Sequence, residues 1–100
     1  MADPEDRRSR IEAKLREGLA ASYVEVIDES HLHAGHAGAR SGGGHFHATI
    51  VSAHFEGLSA VAAQGVVYGV LAAEMGGEIH ALRMKTLTPA QWASGALSAR

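Results

Sequence analysis

Three segments constrain this chain more than anything else in it. They are an alternating run from His45 to Ser52, a helix-length stretch from Ser59 to Met75, and a second strand-like run from Ile79 to Leu87. Strand, helix, strand in that order make a crossover. Such crossovers are right-handed in nearly all proteins and leave the two strands parallel neighbours in one sheet. In the first run Phe46, Ala48 and Ile50 fall on one face, and His45, His47, Thr49 and Val51 on the other, as period two requires. Leu58, Val61, Ala62, Val66, Val70 and Ala73 give the helix a broad apolar side suited to a sheet, over about 25 Å of length. Gly65 and Gly69 each cost a helix roughly 1 kcal/mol against Ala, so their four-residue spacing predicts a close approach of backbone to the sheet or to the first helix. Gly76 and Gly77 supply the stop. Thr88-Pro89-Ala90-Gln91 fits a capping box with Pro at the first helical position, and Trp92 is placed to anchor that last turn.

The N-terminal half adds one helix and one strand. Ile11, Leu15 and Leu19 form a narrow stripe at four-residue spacing, with Arg7, Arg8, Arg10, Lys14 and Arg16 on the remaining surface. Tyr23–Asp28 alternates around Val24, Val26 and Ile27 and reads as a strand that pairs antiparallel with His45–Ser52. Residues 30–44 are Gly, His, Ala and Ser without periodicity, and a loop that long in a small domain is generally functional or mobile. The expectation is an α+β two-layer sandwich in the order α-β-β-α-β-α, with a three-stranded mixed sheet and its helices on one face. All 100 residues are expected to form a single domain, with its core at about 9–94 and a flexible His/Gly-rich loop at 30–44. The open sheet face and that loop are where function is expected.

Composition then removes several classes of function. With no Cys, the chain cannot form a disulfide framework, a Cys-based zinc finger or an iron–sulfur site from its own thiolates. No run approaches 18 apolar residues, so no membrane span is expected. Asp3, Glu5, Asp6, Glu12 and Glu17 argue against a transit peptide, and a cytoplasmic location is expected. A net charge of −2 lacks the electrostatic footprint of a nucleic-acid binder. No phosphate-binding loop, dinucleotide fingerprint or nucleophile elbow occurs, and no serine has an evident base and acid beside it, so enzyme chemistry is not indicated.

Histidine carries what chemistry remains. Six of the seven histidines lie between positions 31 and 54. His31, His33 and His36, then His45 and His47, offer neutral nitrogen ligands of the kind that suit zinc, copper, nickel or iron. The same residues also read as solvated loop polar groups, since ligands on a Gly-rich loop must be ordered on binding. His80, at the start of a strand, reads either as a packed residue or as a ligand. Gly35-His36-Ala37-Gly38 matches the GxxG clamp of KH domains in letters, but lies between strands rather than helices.

Val24-Glu25-Val26-Ile27-Asp28-Glu29-Ser30, the loop ending in His45-Phe46, Phe55-Glu56-Gly57-Leu58-Ser59, Ile79-His80-Ala81-Leu82 and Thr88-Pro89-x-x-Trp92 occur in one order that strongly resembles the BolA family. The resemblance runs from about Ile11 to Trp92. It implies a KH-like (class II) fold and association with a monothiol glutaredoxin. It also implies a 2Fe-2S cluster shared with that partner and its glutathione, and absent from the isolated protein. The family's strand histidine falls on His80. Its loop ligand falls on His36 when counted back from Phe46, with His33 as substitute because the loop lacks the family's usual Val-Pro and Gly-Ser-Glu residues. Ala63, Gln64 and Gly65 stand where relatives carry an Arg-His-Arg-like basic cluster, which makes any nucleic-acid contact weak.

The leading expectation is therefore a non-enzymatic factor in iron–sulfur assembly, trafficking or iron regulation. The alternatives are a DNA-binding transcriptional regulator of stress response and cell shape, and a His-rich metal-binding module acting alone. For cluster ligation, His80 is expected to matter most and His36 less, with His33 as its stand-in. Replacing His45 or His47 is expected to leave the cluster largely intact.

Overall fold

The computed structural model describes residues 4–30 and 43–95. Helix α1 (Pro4–Gly18) is followed by strand β1 (Tyr23–Asp28), strand β2 (Gly44–Val51) and a short 3-10 turn at Ala53–Phe55. Helix α2 (Ala60–Val70), strand β3 (Ile79–Leu87) and the short helix α3 (Pro89–Ala93) complete the chain. The sheet order is β1-β2-β3, antiparallel between β1 and β2 and parallel between β2 and β3, as the crossover argument requires. The mixed α+β architecture expected from the sequence is the one observed.

One face of the sheet meets α1 and α2. Ile11, Leu15 and Leu19 pack with Val24 and Val26 of β1, with Phe46, Ala48 and Ile50 of β2, and with Ala63, Val67 and Leu71 of the α2 region. Ion pairs brace α1 along its own length and tie it to the chain before β3. The Glu12 carboxylate accepts from Arg8 at 2.6 Å and from Arg16 at 3.1 Å. Burial pushes its pKa up, but those two hydrogen bonds and charges hold it below the ordinary carboxylate value. Lys14 reaches both carboxylate oxygens of Glu74, at 2.9 and 2.8 Å, and Arg10 pairs with Glu78. Buried Ser52 donates its hydroxyl to the Leu19 carbonyl at 2.7 Å and accepts the His54 amide, joining the end of α1 to the end of β2.

The structure corrects four sequence expectations. The face of the α2 region that packs on the sheet is Ala63, Val67 and Leu71, one position round from the one expected, and Leu58, Val61, Ala62, Val66 and Ala73 are exposed. Helix α2 stops at Val70 rather than Met75, because the chain tightens into successive turns once Leu71 is seated in the core. The Glu74 carbonyl then accepts from the amides of both Gly77 and Ile79, which turns the chain directly into β3. Gly65 and Gly69 make no close approach, and a Cβ at either would meet nothing within 4 Å. The intimate helix contact falls at Gly18 instead, where a Cβ would sit 2.9 Å from a methyl of Val70. Finally, Thr49 and Val51 are buried although they lie on the face away from α1 and α2. Val51 is flanked in register by Tyr23 and Leu87, at the end of the sheet where Trp92 stacks on Tyr23 with ring centres 4.6 Å apart. The expected anchoring role of Trp92 is thus what closes that end of the open face.

Candidate functional site

The opposite end of the sheet holds the histidines. At the start of β2 the pairing with β3 slips: Gly44 faces Ile79, but His45 faces Ala81. His80 is therefore the extra residue of a β-bulge, a device that re-aims one side chain out of a regular ladder. The two glycines before His45 leave room for neighbouring side chains, Gly43 for His80 and Gly44 for the Phe46 ring. A Cβ at Gly43 would lie 2.8 Å from the His80 Cβ and 3.1 Å from the Gly77 carbonyl, and one at Gly44 would strike the Phe46 ring at 2.5 Å. The residues just before His45 therefore need to be glycine for reasons of space, which the loop-like composition of the segment concealed.

The bulge leaves His80 exposed and brings its imidazole against that of half-buried His45, with ring centres 5.3 Å apart and planes tilted by 46°. His45 is fixed from the side of β1. Its amide donates to Ser30 Oγ at 3.1 Å, and its carbonyl accepts from the Glu29 amide at 2.7 Å. Ser30 is itself held by its amide's hydrogen bond to Asp28 Oδ1 at 2.9 Å. Arg83 donates to Glu29 at 3.0 Å, and the Arg7 guanidinium lies over the Phe46 ring, 5.7 Å from its centre.

Of the ligands proposed from sequence, the structure places His80. His33 and His36 lie outside the described residues. The partner it does bring to His80 is His45, which the sequence reading set aside, because alternation assigns a residue to a face but cannot give the offset between two strands. His47 faces Ile27 and Arg83 in register on the open sheet face, and His54 is exposed in the 3-10 turn. Among the described residues no three His, Asp or Glu side chains converge on one point. A cleft of about 230 Å³ lies where α2 begins, against Thr86 near the other end of β3, and is lined by Phe55, Leu58, Ala63, Thr88 and Gln91 among others. None of its lining side chains is ionisable.

Comparison with known proteins gives one consistent result. A family model described as BolA-like protein matches residues 15–91. The human BolA-like protein 1 is 42% identical over 82 residues, which make up 82% of this chain and 58% of the human one. The DNA-binding transcriptional regulator BolA of Escherichia coli (strain K12) is 38% identical over 85 residues, covering 85% of this chain and 78% of its own. Among solved structures, the BolA domain of SufE1 from Arabidopsis thaliana superposes with a TM-score of 0.76 at 36% identity, covering 91% of this chain and 99% of that one. The chain spans a little over half the length of the human relative. Among the described residues no helix is long and apolar enough to cross a membrane.

Proposed function

The chain belongs to the BolA family, and from that membership we propose that it works without catalysis of its own, as an iron–sulfur assembly, trafficking or iron-regulation factor that binds a monothiol glutaredoxin and shares a 2Fe-2S cluster with it. The observation that carries this reading is His80, exposed on a β-bulge in the sequence Ile79-His80-Ala81-Leu82. The donor chemistry fits half of such a cluster. A Cys-free chain contributes imidazole, and the partner's cysteine with glutathione contributes the thiolates, an uneven set of the Rieske kind. When bound, the cluster supplies one-electron or transferable iron–sulfur chemistry, and neutral imidazole in place of thiolate raises its potential.

His80 serves as the fixed ligand, because a strand holds its side-chain direction before binding. His36, with His33 as its stand-in, serves as the second ligand and must be ordered on binding. Imidazole can also take a proton, so ligation on this side is the labile one, as suits a factor that hands its cargo on. Glutathione enters only through the partner. Co-expression with the monothiol glutaredoxin of the same cell, followed by anaerobic purification with iron supplied, should give a coloured, co-eluting complex that contains glutathione. A colourless mixture that separates on the column contradicts the reading.

The alternative of a DNA-binding regulator takes its support from the name of the E. coli relative. The surface offers it little. On α1 the Arg8, Arg10, Lys14 and Arg16 side chains are all in ion pairs, and α2 carries no charged residue.

A further inference from the structure

The contact between His45 and His80 does not depend on any partner. Both imidazoles stand on strands whose positions are set by the fold. His45 is held through its amide and carbonyl by Ser30 and Glu29, and His80 is seated by the bulge and the bare backbone of Gly43. The rings are tilted by 46° rather than stacked, with centres 5.3 Å apart. Two imidazoles bound through nitrogen to one tetrahedral ion at about 2.0–2.1 Å place their ring centres about 5 Å apart. The observed spacing of the ring centres is close to that value, and exposed His80 gives an ion a path in from solvent. Glu29, whose amide meets the His45 carbonyl, is engaged by Arg83, and Glu78, two residues before His80, by Arg10, so the donors offered are nitrogen and not oxygen. That set selects borderline transition metals over calcium or magnesium.

We propose that His45 and His80 form an open two-imidazole site for one transition-metal dication of the zinc, cobalt or nickel class, in this chain by itself. The remaining coordination positions are left to water or to an incoming thiolate. Because the site uses His80, and on the reading of His80 as a cluster ligand given above, an ion held here and a cluster shared with glutaredoxin exclude one another.

The test is a titration of the full chain, without glutaredoxin, with Co2+ followed by its visible absorption and with Zn2+ followed by calorimetry. One ion should bind per chain. His45→Ala and His80→Ala should each weaken binding roughly tenfold or more, and a His47→Ala/His54→Ala double variant should bind as the parent does. His45→Gln, which keeps bulk at the strand start, accompanies His45→Ala, and thermal unfolding of each variant separates loss of a ligand from loss of the fold. The proposal is overturned if the parent binds no ion, or if folded His45 variants bind as the parent does. It is equally overturned if binding survives in them and is lost on replacing His33 and His36 together, which would move the site into the loop. The titration needs no partner protein, so its failure leaves the coloured heterocomplex untouched, and absence of that complex leaves the titration untouched.

Discussion

At residue 43 the difference between glycine and alanine decides whether His80 can sit where it does. The atoms a Cβ would meet are the His80 Cβ and the Gly77 carbonyl, neither of which can swing aside as the tip of a flexible side chain would. Gly43→Ala should therefore lower the stability to urea by about 1–3 kcal/mol and move the imidazole resonances of His45 and His80. An unchanged midpoint with unchanged resonances would show that the bulge does not hold His80. The weight placed on His80 was legible in the sequence only through the motif Ile79-His80-Ala81-Leu82, since a lone strand histidine reads equally well as a packed residue. Its neighbour was not legible. Alternation along His45–Ser52 gives faces, but the slip that sets His45 opposite Ala81 arises from pairing between residues 36 positions apart in the chain.

Among the elements, those that carry local chemistry in their own residues were readable and those that depend on long-range contact were not. The capping box of α3 is complete: Thr88 Oγ1 accepts from the Gln91 amide at 3.1 Å, and Gln91 Oε1 accepts from the Thr88 amide at 2.8 Å. The stripe Ile11, Leu15, Leu19 is buried as its spacing requires. By contrast, four-residue spacing of glycines in α2 resembles a close-packing signal, while the residue that touches another helix is Gly18, at the end of α1. The two positions should respond in opposite directions. Gly65→Ala fills open space on an exposed turn of helix and should stabilise the fold by about 0.5–1 kcal/mol. Gly18→Ala drives a methyl into the stiff, branched side chain of Val70 and should destabilise it by about 1 kcal/mol or more. Urea midpoints for the two variants check this, and a gain at Gly18 or a loss at Gly65 would contradict the packing described.

For the whole molecule, the balance of charge and the placement of histidine separate the two functional readings. Basic side chains on α1 are the natural footprint for phosphate, but Glu12, Glu74 and Glu78 already hold four of them, and the net charge is −2. Few cations remain to release counterions from a duplex. Fluorescence anisotropy at physiological salt should therefore show weak binding without sequence preference, and nanomolar, sequence-selective binding would favour the regulator instead. The remaining chemistry is concentrated at one end of the sheet, where the bulge presents His80. The most direct test of that assignment is the visible circular dichroism of the complex with monothiol glutaredoxin, compared between the parent chain and His80→Ala. The account predicts that His80→Ala loses the spectrum of the cluster shared between the two proteins while the variant chain remains folded and the parent retains it. A folded His80→Ala chain whose complex keeps the parent spectrum would contradict it.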